Sequence, residues 1–489
     1  MTEQDDVCFW SARDQLAALR DRRLSARELM QATLDRIEAV NPAVNAVVSL
    51  DGDRAMAEAA SADERLVTQG PDGPLHGLPV AHKDTHVTGG IRTTHGSPLH
   101  ADDIPDEDEL VVARMRTAGM VSIGKTNVPE FAAGSHSFNP IFGVTRNPYA
   151  LDRSAGGSSG GASAALATGM HALADGSDMG GSLRNPASFC NVVGLRPSPG
   201  RVPSYPTALP WSTLSVQGPM ARTIDDLALL LSVQAGPDAR VPIALSEPGA
   251  TFAEPKAAEP RGLRVAWTPD FGGLIPVEDD VLEILRANVE TFASLGCEVT
   301  EVSPDLSGAA ETFRTLRAWQ FQHNFADRIA ANPEAFKPAV VGNAAEGRDL
   351  TGRDVAAAEA HHGVLFERMH HFFGSYDVLL APVSQVAPFD VELEYPTQVA
   401  GVDQPDYLQW MASAYIISIT GSPALSVPGG FTADGLPVGL QIIGAHRAEQ
   451  RVLEVGKMFE AATNVAARRP DINALANAGA LSSRWDPQG

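Results

Sequence analysis

Between residues 11 and 40, apolar side chains recur every three to five positions, at Leu16, Leu19, Leu24, Leu29, Leu34 and Ile37. That spacing predicts amphipathic helix. Ser25 precedes Glu28 by three residues, a capping-box pattern, so a second helix is expected to begin there. Farther along, short β-rich runs (LPVAH at 78–82, MVSIGK at 120–125) alternate with helical stretches such as the Ala-rich 161–174. Residues 263–267, 279–296 and 297–302 read as strand, helix and strand. Residues 308–373 read as mostly helical, and 377–383 and 435–444 as strands, the first of them buried. Residues 235–262, rich in Pro, Ala, Gly and Glu, read as a surface excursion. The alternation predicts an α/β fold. No repeat of fixed period and no clean linker divides the chain.

Two short motifs match formally and fail on context. Residues 119–126, GMVSIGKT, fit the phosphate-binding G-x-x-x-x-G-K-[ST] pattern. Val121 and Ile123 make the supposed loop strand-like, and Pro129 follows where a helix should run, so a strand ending in a turn is expected. Residues 156–160, GGSSG, fit the G-x-S-x-G nucleophile elbow. An elbow follows an apolar strand directly, whereas RNPYALDRSAG precedes this one. That reading requires an essential histidine and gives Lys83 no role.

The densest chemistry lies at 156–200, where two Gly/Ser clusters flank the Ala-rich stretch. The second, Asp178-Met179-Gly180-Gly181-Ser182, puts a hydroxyl after flexible amides able to converge on one oxygen, as an oxyanion hole does. A serine nucleophile needs a base. Lys83 ends the apolar run at 78–82. If it is buried, desolvation lowers its pKa, and a fall from about 10.4 to roughly 7 disfavours the charged form by about 4 kcal/mol and leaves an amine able to take a proton.

Taken together, HGLPVAHKD (76–84), GKTNVPEF (124–131), SAGGSSGG (154–161), DGSDMGGSLRNPASFCNVVGLRPSPGRVP (175–203), GPMARTIDDLALLL (218–231) and GLPVGLQIIG (435–444) resemble the amidase signature family of serine hydrolases. The resemblance runs from about 24 to 465 and is densest at 75–230. It implies one α/β/α domain with a large mixed β-sheet covered by helices on both faces. It places an N-terminal helical segment at 1–65, the signature domain at 66–475 with a helical rim or lid at about 308–373, and a C-terminal tail at 476–489. It further implies a Ser–cis-Ser–Lys triad, with Lys83 as neutral base, Ser158 as the bridging serine after a cis peptide bond, and Ser182 as nucleophile. The 24 residues from Ser158 to Ser182 match the family spacing. The backbone amides of Met179, Gly180, Gly181 and Ser182 would form the oxyanion hole, with Asp178 and Arg184 holding the loop. Position 179 is methionine where family members often carry threonine or isoleucine, a change that leaves a backbone role intact.

The implied activity is hydrolysis of the C–N bond of carboxamides through a Ser182 acyl-enzyme, with anilides, carbamates or urethanes, and esters within chemical reach. The partner is then a small-molecule amide or carbamate, and no metal or organic cofactor is required. The alternative within the family is the glutaminase (A-type) subunit of a tRNA-dependent amidotransferase. Such subunits usually carry an SLDQ-like stretch where this chain has Ser212-Thr213-Leu214-Ser215-Val216-Gln217. A non-catalytic binding protein would call for a degraded triad, and all three positions are intact. Phe131, Tyr205 and Trp211 near the motif loops, and Trp319 in the aromatic-rich segment, are the candidate substrate-binding residues. His361-His362 and His370-His371 lack a carboxylate pattern to complete a metal site. Cys190 is expected to serve packing.

Composition narrows the setting. Of 489 residues, 44% are hydrophobic and 20% charged, an ordinary globular balance. The formal charge of −23 opposes a phosphate backbone, so nucleic acid is not an expected partner. Three cysteines form no disulfide framework, and the start MTEQDDVCFW lacks the basic and apolar regions of a secretory signal. No apolar run is long enough to span a bilayer. The expectation is a reduced, cytoplasmic enzyme, monomeric or homodimeric.

Overall fold

The computed structural model describes residues 6–481. The helical stretch at 11–40 is two helices. Ser11 caps α1 (Ala12–Arg20), and Ser25 with Glu28 closes a capping box at the start of α2 (Ala26–Val44). Next come β1 (Val47–Leu50), α3 (Gly52–Thr68), β2 (Pro79–Lys83), α4 (Leu110–Thr117) and β3 (Val121–Thr126). β3 runs through Gly124 and Lys125, so the phosphate-loop pattern is a strand. It lies centrally in a three-stranded sheet, parallel to β2 and antiparallel to β1. Two small pairs follow, β4 (Phe138–Asn139) with β5 (Gly143–Val144) and β6 (Arg146–Asn147) with β7 (Ala150–Ser154).

The Ala-rich stretch splits into helix and strand. α5 (Gly160–Ala167) ends because Gly169 turns the chain at φ 73°, and Leu173 then opens β8 (Leu173–Asp178). After it come α6 (Arg184–Phe189), β9 (Val193–Arg196), β10 (Val216–Ala221) and α7 (Ile224–Gln234). The excursion at 235–262 holds no α-helix or strand, only a 3-10 turn at Gly249–Phe252. β11 (Arg264–Trp267), α8 (Asp279–Leu295) and β12 (Glu298–Glu301) form the β-α-β unit read from the sequence, with its strands parallel. The helical segment is α9 (Ala309–Ala331), α10 (Pro338–Arg348) and α11 (Gly352–Ser375). The chain continues through β13 (Val378–Pro382), β14 (Gln398–Val399), β15 (Val402–Asp403), α12 (Ala412–Ser418), β16 (Ala424–Phe431), β17 (Pro437–Ile443), α13 (Glu449–Thr463) and α14 (Ile472–Ala478).

The main sheet has eight strands in the order β12-β11-β13-β17-β16-β9-β10-β8. It is mixed: β11 is parallel to β12 and β13, and the other pairs are antiparallel. Every residue of β9, β13 and β17 is buried, so both faces of the sheet are covered. One hydrophobic cluster runs from Ala12 to Leu475 and joins the N-terminal helices to the sheet. α3 crosses position 65, where the N-terminal segment was expected to end. Of the tail expected at 476–489, residues 482–489 lie outside the described residues. No helix among the described residues is long and apolar enough to cross a membrane.

Candidate active site

Lys83 is the last residue of β2, a strand buried at every position. Its amine lies 2.7 Å from Ser158 Oγ, 3.0 Å from Ser177 Oγ and 3.4 Å from Ser177 O. Burial pushes the amine down to about 7, although the carboxylates of Asp178 and Asp175 favour its charged form. An amine at that value is half neutral near neutral pH and can accept a proton across 2.7 Å.

β8 supplies the neighbours. Asp175 and Ser177 are two residues apart on one face of the strand, and both reach Lys83. The main-chain N–H of Lys83 donates to Asp175 Oδ1 at 2.8 Å, and His82 Nδ1 bonds Asp175 Oδ2. Burial works against the Asp175 charge, but the imidazoles of His82 and His86 outweigh it and hold the carboxyl well below the usual carboxylate range. His86 in turn bonds Glu109, which accepts from Gln217 Nε2 at 2.9 Å.

The Gly157–Ser158 peptide bond is cis. Ser135 Oγ donates to Gly157 O at 2.8 Å, and Asn185 Nδ2 donates to Ser135 Oγ at 3.0 Å. Ser159 N donates to Ser182 O at 3.2 Å, tying the two Gly/Ser clusters together beside Lys83. Ser182 is 8% exposed.

Between β8 and α6 the loop 179–182 is fixed by Asp178. The carboxylate accepts from Gly181 N at 2.8 Å, Leu183 N at 3.1 Å, and Arg184 Nε and Nη2 at 3.0 and 2.9 Å. Arg196 Nη1 lies 3.2 Å away. Gly181 sits at φ 120°, and a Cβ there would come within 2.6 Å of Ala414 Cβ, so the position needs glycine. Of the four amides expected to form the oxyanion hole, that of Gly181 is bonded to Asp178 Oδ1. The amides of Met179, Gly180 and Ser182 have no protein acceptor among the described residues.

A cavity of about 340 Å³ adjoins this centre through Ser177 and Met179. Its walls include Thr85, His86, Glu109, Gln217, Gln320 and Asn324, with a proline-rich side at Pro203, Pro206 and Pro210. None of the four aromatic candidates lines it. Phe131 packs 5.0 Å from the Phe325 ring and 5.7 Å from that of Phe336, in a small cluster that also takes in Met179. Tyr205 is exposed and carries Arg240 at 4.6 Å over its ring. Trp211 is 74% exposed, and Trp319 packs against the main core. Aromatic residues near a motif marked packing and surface here, and the cavity wall is built from smaller residues. Ser177 and Asp175 were missed, although the period-2 alternation before Ser182 carried the signal.

The histidine pairs are engaged elsewhere. His361 Nδ1 bonds Thr312 Oγ1 at 2.8 Å, and His371 Nδ1 bonds Glu367 O at 2.8 Å. Among the described residues no group of three or more His, Cys, Asp or Glu side chains is placed to hold a metal ion. Cys190 is fully buried, and burial pushes its thiol up to about 12, consistent with packing.

A family model described as "Amidase" matches residues 28–453. An acylamidase of Rhodococcus erythropolis is 35% identical over 483 residues, covering 96% of this chain and 98% of that protein. The A-type component of the glutamyl-tRNA(Gln) amidotransferase of Ralstonia nicotianae is 35% identical over 500 residues, covering 93% and 98%. Among solved structures, a bacterial aryl acylamidase of the amidase signature family superposes with a TM-score of 0.87 at 28% identity, covering 95% of this chain and 99% of that one. The peptide amidase of Stenotrophomonas maltophilia gives 0.81 at 27% identity, covering 95% and 99%.

Proposed function

The chain belongs to the amidase signature family and is an amidase, a hydrolase of carbon–nitrogen bonds, and on that premise we propose that Ser182, Ser158 and Lys83 carry the reaction. Ser182 Oγ attacks the carbonyl carbon. Its proton passes to Ser158 Oγ as the Ser158 proton passes to the neutral Lys83 amine. The oxyanion is received by the free amides of Met179, Gly180 and Ser182. Collapse of the tetrahedral intermediate breaks the C–N bond while the Lys83 proton returns through Ser158 to the leaving nitrogen. Water then attacks the acyl-enzyme, giving its proton to the same relay, and Ser182 is regenerated. Ser177 Oγ, 3.0 Å from Nζ, orients the amine toward Ser158.

The observation that carries this reading is one buried amine, depressed to about 7, at 2.7 Å from Ser158 Oγ. Fluorophosphonate labelling followed by peptide mass spectrometry tests it. The expected adduct is on Ser182, with loss of labelling and of turnover in Ser182→Ala. An adduct elsewhere, or a turning-over Ser182→Ala, overturns it. A panel of primary amides, anilides, carbamates, esters and glutamine places the chain within the chemistry, and preference for glutamine with copurifying subunits would favour the amidotransferase role.

A further inference from the structure

Four arginines are buried among the described residues, Arg184, Arg196, Arg201 and Arg317. Arg184 and Arg196 share Asp178, and Arg201 pairs with Glu449 and Glu247. Arg317, 5% exposed, has no carboxylate within 4.0 Å among the described residues. Its Nη1 donates to Met179 Sδ at 3.2 Å, its Nη2 donates to Tyr407 Oη, and its guanidinium lies 4.1 Å from the centre of the Phe321 ring. Among the described residues its Nε has no partner. A guanidinium is a fixed charge with five donors and no acceptor. A thioether, a phenol and a ring face soften the cost of an unpaired charge without cancelling it.

The location gives that charge a use. On α9, residues 313, 317, 320 and 324 follow helical spacing and share one face. Phe313 at one end packs on Gly180, where a Cβ would lie 3.1 Å from its Cζ. Gln320 and Asn324 at the other end line the cavity, and Arg317 between them touches Met179 at the head of the nucleophile loop. We propose that Arg317 receives a carboxylate carried by the substrate, so that the preferred substrates are amides bearing a carboxylate a few bonds from the scissile carbonyl. The proposal deepens the amidase reading and rests on it.

Two matched substrate pairs test this and separate the two halves of the amide: glutaric mono-4-nitroanilide against valeric 4-nitroanilide, and 3-acetamidobenzoate against 3-methylacetanilide. In wild type, at least one charged member is expected to exceed its neutral partner about tenfold or more in kcat/KM, mainly through KM. In Arg317→Gln and Arg317→Met that ratio is expected to fall to about one, with part of it restored in Arg317→Lys, which keeps the charge and loses the fork. No preference in either wild-type pair, or a preference that survives both neutral variants, overturns the proposal. A turnover-independent arm compares glutarate binding to Ser182→Ala with binding to Ser182→Ala/Arg317→Gln by calorimetry, and a loss of about tenfold or more is expected. Glutarate that does not bind, or binds both equally, counts against Arg317. Failure to hydrolyse any of the four amides counts against the amidase mechanism, while the binding arm still decides on Arg317.

Discussion

Asp178 Oδ1 accepts the Gly181 amide at 2.8 Å, which removes one N–H from the nucleophile loop and fixes the direction of the others. The same carboxylate is the counter-charge for Arg184 and Arg196, both fully buried. The burial of Asp178 opposes its charge, but the two guanidiniums hold its carboxyl well below the usual carboxylate range. One side chain therefore shapes the loop 179–182 and neutralises two buried cations.

Asp178→Asn is expected to be severely destabilising. Asparagine can keep an acceptor for Gly181, but it leaves the Arg184–Arg196 pair without a negative charge, a change of about 3–5 kcal/mol. Urea unfolding is the measurement, and a loss below about 1 kcal/mol would show that the pair is compensated elsewhere. Gly181→Ala keeps the ion pairs but drives a Cβ to 2.6 Å from Ala414 Cβ, so activity is expected to fall much further than stability.

The pH dependence should report Lys83. In the proposed mechanism Lys83 takes a proton as a neutral amine, so kcat/KM is expected to rise with pH and to level above about 7, the value to which burial pushes this amine. Stability follows the same proton. The unfolded chain holds it to about pH 10.4 and the folded chain only to about 7, so between those values the unfolded state binds more protons and stability rises with pH. Below about 7 the buried cation is a full burden on the fold. Lys83→Met is therefore expected to abolish turnover while raising Tm, with the gain larger at pH 6 than at pH 9. A gain that does not shrink with rising pH would remove Lys83 as the titrating group.

How far the site was legible can be traced residue by residue. Lys83, Ser158 and Ser182 stood in long motifs, and setting Lys83 beside Ser177 requires β2 and β8, from two sheets, to come together. Sequence could name those residues, but it could not show that Asp178 takes the Gly181 amide, because that depends on the turn between β8 and α6. The helix boundary missed at 161–174 is a local competition: alanine favours helix, but Gly169 and the pairing of β8 with β10 pull the second half into strand. The aromatic candidates lie outside the cavity wall for a different reason. Phe131, Trp211 and Trp319 sit where packing and exposure, set by elements far apart in sequence, decide their neighbours. Arg317 gave no motif signal, since an unpaired buried guanidinium is visible only once every carboxylate has been placed.

Ser177 offers the sharpest test of how the base is held. Its Oγ lies 3.0 Å from Lys83 Nζ, so the amine is bonded to two hydroxyls, Ser158 and Ser177. Ser177 also lines the cavity that adjoins Met179. Its removal leaves Lys83 buried and Ser158 in place, but the amine loses the partner that turns it toward Ser158. Ser177→Ala is expected to lower kcat about tenfold, the worth of one hydrogen bond of about 1.4 kcal/mol, and to lower it more than it raises KM. Ser177→Thr, which keeps the hydroxyl, is expected to recover part of kcat. A purely structural serine would instead lower Tm in Ser177→Ala with kcat per folded molecule unchanged, and a serine that only touches substrate would move KM alone. Steady-state kinetics of the three proteins across pH 5–10, with Tm measured on the same samples, distinguish these cases. The result that removes Ser177 from the mechanism is an Ala variant whose kcat and pH profile superpose on those of wild type.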